Sequence, residues 1–486
     1  MGEDLISFTS VSIDNLKSYD NLWDYVPELL IDERVIEVLK EHLGVKCDEV
    51  LVEYPYYDAD YLSTFYIHYA KKLKSYDKKC CRLHILKQEE YYGYIVLRPT
   101  VTGTKFGKTL ISPEVLIKET AYIALCDFKA HIAGNLMTIR SFPWKSQETD
   151  ISVCAHTATW TLLRYFGNKF NNYADTTIGE IVDNTDNDWG RKTPSIGLNP
   201  VQVSDIFKKY GFSPLILECV KRLEDKFIDE VMAYIESGLP MVGFLYPRRH
   251  AVSIIGHGLV DMDILDDPIL VKNIRDPSID VISHARLVRD FYVMDDNLFP
   301  YKKMRIGWAN QESDVDYGSA ELKYCVVPLY NRMQLVYNEV YERFRTWMKE
   351  RAMDWDVPCV SRIYITSANS LKSEALKSAD MNEVLVGIIL NLSMPRFVWC
   401  IDLSNFEEYK KGLTSGRIIV DTTAPTLDVE PWILRHDRNR IEYIDIDSRI
   451  SYTKKCEAVK TTIIPYKLYR HNLIECCGES EENKDG

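Results

Sequence analysis

The chain has 486 residues, a formal net charge of −13, 46% hydrophobic residues and 27% charged residues. That length exceeds one ordinary core and predicts two or three domains. The acidic balance argues against a nucleic-acid backbone as the main partner, and no apolar run approaches membrane-spanning length, so neither nucleic acid nor membrane is expected as a partner. The 12 cysteines run from Cys47 to Cys477 without forming a disulfide framework. Neither adjacent pair, Cys80-Cys81 or Cys476-Cys477, has a second pair at zinc-ligand spacing. Met1 to Asp14 lacks the basic start and apolar run of a secretory signal. Together these features predict a reduced, cytoplasmic protein with no cofactor and no metal.

Residues 1–140 read as an α+β region. Ile31 to Leu43 has the periodicity of a short amphipathic helix, Glu49 to Tyr54 that of a strand, and Tyr61 to Leu73 returns to helical spacing. Tyrosines cluster here (Tyr54, Tyr56, Tyr57, Tyr61, Tyr66, Tyr69), and packing against neighbouring elements is expected rather than a ligand surface. Strands follow at Cys81 to Leu86 and Tyr92 to Pro99. After a Gly/Thr-rich turn, Lys108 to Pro113 completes a hairpin with the second of these. Arg98, just before Pro99, reads as one half of a surface ion pair.

Residues 141–317 hold the stretch that suggests chemistry. From Cys154, apolar residues recur at helical spacing through Ala158, Leu162 and Phe166, with Ser152 as the expected N-cap and Gly167 as the expected stop. A cysteine in a first helical turn meets the helix dipole and free N–H groups, which favour the nucleophilic thiolate. Upstream, Gln147 can turn a side-chain N–H toward the oxyanion that attack on a carbonyl creates. Further helices are expected over Thr193 to Phe212, with Asn199 as cap and Pro200 at the first position, and over Leu223 to Ser237. Met241 to Tyr246 and His250 to Gly256 read as two buried strands joined by Pro247-Arg-Arg, so His250 opens a central strand. Asp261 to Arg286 is polar and reads as an irregular insertion. Phe291 to Asn297 is a strand that ends in acids.

A nucleophilic cysteine needs a base and a group to orient that base. His156 lies two residues along the helix from Cys154 and faces elsewhere. His257 falls at the far end of His250's strand, which leaves His250 as the base. Strand alternation favours Asp295 as the orienting acid, with Asp296 and Asp276 as rivals. A zinc site built from Cys154, His156, His250 and His257 lacks any close ligand spacing.

Gln147 and Cys154 at a helix start, Gly238-Leu-Pro with its strand, His250-Ala-Val-Ser-Ile-Ile-Gly, and an acid at a strand end come in an order that resembles the papain-like cysteine peptidase superfamily. The nearest branch is the peptidases that process double-glycine leader peptides, with their bacterial relatives. The resemblance spans about residues 145–310. It implies a papain-like α+β fold in which a helix bearing Cys154 packs on an antiparallel sheet bearing His250 and the acid. It also implies Cys154 as nucleophile, His250 as general base, Asp295 as orienter and Gln147 as oxyanion donor, with a protein or peptide substrate. Ala155 stands directly after Cys154 where the papain pattern has tryptophan. Transglutaminases and arylamine acetyltransferases share the Cys, His, Asp order, so acyl transfer is an alternative, and a non-catalytic binding protein on the same fold is another.

Residues 318–475 read as a second α+β unit. Strands are expected at Tyr324 to Leu329, Ile363 to Thr366, Phe397 to Leu403 and Arg417 to Thr423, with helices at Asn331 to Arg351 and Leu371 to Leu390. The tail, 476–486, is charged, lacks apolar anchors and is expected to be disordered. Oligomeric state is not legible in the sequence.

Overall fold

A computed structural model describes residues 5–100, 103–148, 151–185, 195, 197–305, 316–318, 320–351, 353–378, 381–445, 450–455, 461–462 and 472–476. The chain is mixed α+β, built on three larger sheets that are almost wholly antiparallel. The first is a meander of Ser7–Ser12, Glu49–Tyr56, Cys80–Lys87, Glu90–Leu97 and Phe106–Ile111. The predicted hairpin pairs Gly93 with Ile111 and Leu97 with Phe106. The helix expected from Ile31 runs over Glu33–His42, where the Asp32 side chain accepts from the Arg34 N–H and Val35, Ile36 and Leu39 turn inward. Within the tyrosine cluster, Tyr61 and Tyr69 are buried with ring centroids 6.0 Å apart, whereas Tyr57 and Tyr66 stand exposed.

The second sheet positions the candidate site. Its helices are α1 (Cys154–Lys169), α2 (Pro200–Lys209) and α3 (Glu224–Glu236), and its main strands are β1 (Met241–Tyr246), β2 (His250–His257), β3 (Asp290–Met294) and β4 (Glu321–Val327). Strand order runs from Lys302–Arg305 through β3, β2, β1 and β4 to Leu215–Glu218. The β1–β2 hairpin pairs Leu245 with His250, as the sequence pattern predicts. Its turn places Arg249 at φ 52°, a left-handed conformation. Helix α1 is buried nearly all round. It lies against β2, where the hydroxyls of Thr161 and Ser253 meet at 2.7 Å and that of Ser253 donates to the Ala158 carbonyl. Helix α2 starts as expected at Asn199 and Pro200, closed by a reciprocal cap between Asn199 and Gln202. Part of the stretch read as helix before Asn199 lies outside the described residues.

The third sheet holds β5 (Cys359–Ser367), β6 (Phe397–Asn405), Gly416–Asp421, Trp432–His436, Arg440–Asp445 and Ile450–Lys455. Helices Ala368–Lys377 and Glu383–Asn391, read in sequence as one helix from Leu371, pack on it through Leu371, Leu385 and Ile389.

Four sequence expectations are corrected. Asp261 to Arg286 is not an irregular insertion: it contains the helix Pro268–Ile274, and Val281–Ser283 pairs in parallel with Cys359–Ser361 at the edge of the third sheet. Strand β4, assigned in sequence to the C-terminal unit, belongs to the second sheet between β1 and Leu215–Glu218. Cys476, placed in the disordered tail, lies in a strand, Ile474–Cys476, paired with Ala121–Ile123. The rest of that tail lies outside the described residues. Gly167 does not stop α1, which runs on to Lys169. A Cβ at Gly167 would meet the Ala174 carbonyl oxygen at 2.8 Å, so close backbone approach explains the glycine. No helix among the described residues is long and apolar enough to cross a membrane.

Candidate active site

Cys154 is the first residue of α1, as its spacing predicts, but the cap differs from expectation. Val153 occupies the N-cap position in extended conformation and contributes no side-chain hydrogen bond. Ser152 instead exchanges backbone hydrogen bonds with Glu148 at 2.9 Å in both directions, closing the turn that delivers the chain to the helix. That turn is held from the first sheet by Arg98. Far from forming a surface pair, Arg98 is 1% exposed. It donates to Glu148 Oε1 at 2.7 Å, to Ser146 Oγ at 2.9 Å and to the Gln147 carbonyl at 2.8 Å. The first N–H groups of α1 have no intrahelical acceptor, so the Cys154 end of the helix presents unsatisfied donors beside the sulfur. Cys154 is half-buried and lines a cleft of about 430 Å³ with Leu198, Phe244, Tyr246, His250 and Tyr324.

His250 lies across that cleft at the head of β2. Its Nε2–H donates to Asp295 Oδ1 at 2.8 Å. Burial works against a charged ring, but the hydrogen bond to Asp295 and the neighbouring Cys154 sulfur overcome it and hold the imidazole up at about 10. With Nε2 committed to Asp295, Nδ1 is the nitrogen left for the thiol. Asp295 directly follows the end of β3 and is itself fixed on every side. The Asn297 N–H donates to Oδ1 at 2.9 Å, the Tyr317 hydroxyl to Oδ2 at 3.2 Å, and Trp144 Nε1–H to the Asp295 carbonyl at 2.6 Å.

The two rival acids are separated by geometry. Asp296 Oδ1 lies 3.9 Å from His250 Nε2, and burial pushes its carboxyl up to about 7. Asp276 is occupied elsewhere, with its carboxylate taking the Ser278 N–H at 2.8 Å and pairing with Arg345 at 3.3 Å. His156 is buried along α1, where the apolar surroundings push its imidazole down to about 4, as suits a neutral core histidine. Gln147 joins the network from the other side, its Nε2–H donating to Asn297 Oδ1 at 2.9 Å. A chain of contacts therefore runs from Gln147 through Asn297 and Asp295 to His250 and Cys154.

The structure brings the four sequence candidates, Cys154, His250, Asp295 and Gln147, to one place, and adds to them Arg98, Trp144, Asn297 and Tyr317, which the sequence did not single out for it. Trp144 and Asn297 sit close in sequence to residues already singled out. Tyr317 carries no local signal, since only the folded chain brings it to Asp295. Comparison with protein-family models, curated proteins and solved structures finds no match for this chain.

Proposed function

We propose that this protein is a cysteine hydrolase of papain-like fold that cleaves a peptide, isopeptide or related amide bond. The observation that carries the reading is His250, held between Cys154 and a fixed Asp295 at the mouth of a cleft. In this reading His250 takes the thiol proton and Asp295 stabilises the imidazolium and fixes its orientation. The Cys154 thiolate attacks the carbonyl carbon, and the oxyanion is held by the Cys154 N–H together with the Gln147 amide. The latter has one N–H on Asn297 and a second to offer. His250 then protonates the leaving amine, and water, deprotonated by the same ring, releases the acyl group from sulfur. The cleft walls, rich in aromatic side chains, supply the substrate contacts. The ten described cysteines, none of them in a disulfide, support a reducing, cytoplasmic location.

The test is digestion of a diverse peptide mixture by the full chain, with new termini identified by mass spectrometry. Cleavage is expected from the wild type and from neither Cys154→Ala nor His250→Ala. Added hydroxylamine should capture part of the acyl group as hydroxamate. Cleavage that survives Cys154→Ala would overturn the assignment.

A further inference from the structure

The far end of β2 carries a second constellation that the candidate active site does not use. His257, fully buried, closes the strand that His250 opens. Its Nδ1 meets the Gly258 carbonyl at 2.7 Å. A carbonyl only accepts, so Nδ1 carries a proton. His257 Nε2 faces Glu236 Oε1, at the end of α3, at 2.6 Å. His284 Nε2 reaches the same oxygen at 3.2 Å, and its Nδ1 contacts the Tyr409 hydroxyl. The second Glu236 oxygen accepts from Arg362 Nε, on β5, at 2.6 Å. Two imidazole nitrogens and a carboxylate oxygen, all from buried residues, thus lie within 4.8 Å of one another.

With Nδ1 turned to the Gly258 carbonyl, His257 Nε2 meets the Glu236 carboxylate either through a second proton or across a cation, and His284 brings a second imidazole nitrogen to the same oxygen. We propose that the cation is zinc, bound by Glu236, His257 and His284. Two nitrogens and one oxygen are a ligand set that zinc accepts, with a further position open. Each imidazole turns Nε2 inward and has Nδ1 held by an oxygen, the outer contact that orients metal-ligating histidines. Zinc at about 2.0–2.1 Å from each ligand keeps tetrahedral neighbours roughly 3.4 Å apart. The pair from His284 to Glu236, at 3.2 Å, has nearly that spacing, whereas His257, at 2.6 Å, would have to draw back from Glu236 by about 0.8 Å. His284, Arg362 and Tyr409 also line a cavity of about 230 Å³, otherwise walled largely by apolar residues such as Leu259 and Leu413. Arg362 already balances the charge of Glu236, so the open position takes an anion: hydroxide, or a small carboxylate entering through the cavity. The metal would tie the second sheet to the third, since His257 ends β2 and His284 follows the strand paired to β5.

The test uses the full chain, stripped with chelator and titrated with zinc chloride against a chromophoric competitor, with the zinc absorption edge recorded on the loaded protein. One equivalent is expected in the wild type, in Cys154→Ala and in His250→Ala; the last removes the rival cluster of His250, Asp295 and Asp296. The absorption spectrum should show two imidazoles and no sulfur. Tyr409→Phe, which removes only an outer contact, should weaken binding about 10- to 100-fold, and His284→Gln more. If His284→Gln does not fold, Tyr409→Phe and the spectrum decide. Absence of tight zinc would overturn the proposal in favour of a protonated imidazole between the same groups. So would loss of zinc in His250→Ala or Cys154→Ala, or a sulfur ligand in the spectrum.

Discussion

Replacing Asp295, the proposed orienting acid, by asparagine separates its charge from its shape. Asn Oδ1 can still accept from His250 Nε2–H and the Asn297 N–H, while Nδ2 faces a Tyr317 hydroxyl that can accept. What disappears is the negative charge that, with Cys154, holds His250 up at about 10. A hydrogen bond to a charged group contributes roughly 1.5–3 kcal/mol. At about 1.36 kcal/mol per pKa unit, its loss lowers the imidazolium by about one to two units. The sign follows from linkage. His250 titrates higher folded than unfolded, so its contribution to stability is complete below about pH 6.5 and is lost as pH rises through about 10. In Asp295→Asn that loss is complete at lower pH and smaller in total. The assay is alkylation of Cys154 by iodoacetamide from about pH 5 to about pH 10, read by mass spectrometry. Cys219, also half-buried, serves as internal control. With the imidazolium brought from about 10 down by about one to two units, the upper limb of the Cys154 alkylation profile, where the imidazolium partner is lost, should move down by about one to two pH units in the variant, leaving Cys219 unchanged. Superimposable Cys154 profiles in the two proteins would refute the coupling of Asp295 to the thiol.

Three further outcomes are expected. Asp296 is buried, neither oxygen has a hydrogen-bond partner among the described residues, and burial pushes its carboxyl up to about 7, so wild-type stability should fall as pH rises from about 4 through about 7. Asp296→Asn should therefore match the wild type within about 1 kcal/mol at about pH 4 and exceed it by up to roughly 4 kcal/mol at about pH 8. Urea unfolding at both pH values checks this, and a pH-independent difference would refute it. Arg98→Met leaves the Glu148 carboxylate buried with longer contacts, from the Thr64 hydroxyl at 3.4 Å and Lys145 at 3.5 Å, and should cost about 3–5 kcal/mol in denaturant unfolding. The same variant should slow Cys154 alkylation by loosening the turn before α1, while an unchanged rate would show that the turn holds without the clamp. Gly167→Ala would gain about 1 kcal/mol at an open helical site, but contact with the Ala174 backbone should make it destabilising by roughly 1–3 kcal/mol, a sign that thermal unfolding reads directly.

Local pattern made much of the molecule legible. The start of α1 at Cys154, the Asn199-Pro200 start of α2, and the hairpin that sets His250 at the head of β2 all depend on spacing over a few residues. Such spacing is written in the chain itself, and the paired candidates Cys154, His250 and Asp295 emerged from it. Contacts between residues far apart in sequence were decided by tertiary structure alone. Arg98 shows no sign in its own neighbourhood that its guanidinium will fold over the Ser146–Glu148 turn. Val281–Ser283 looked irregular because its partner strand is Cys359–Ser361, and three residues cannot advertise a parallel pairing across such a span. Glu236, His257 and His284 lack any ligand spacing in sequence, since a helix end, a strand end and a turn each bring one donor. Short-range periodicity reports the backbone states a segment prefers, whereas ion pairs and ligand clusters depend on which segments the packed core brings together.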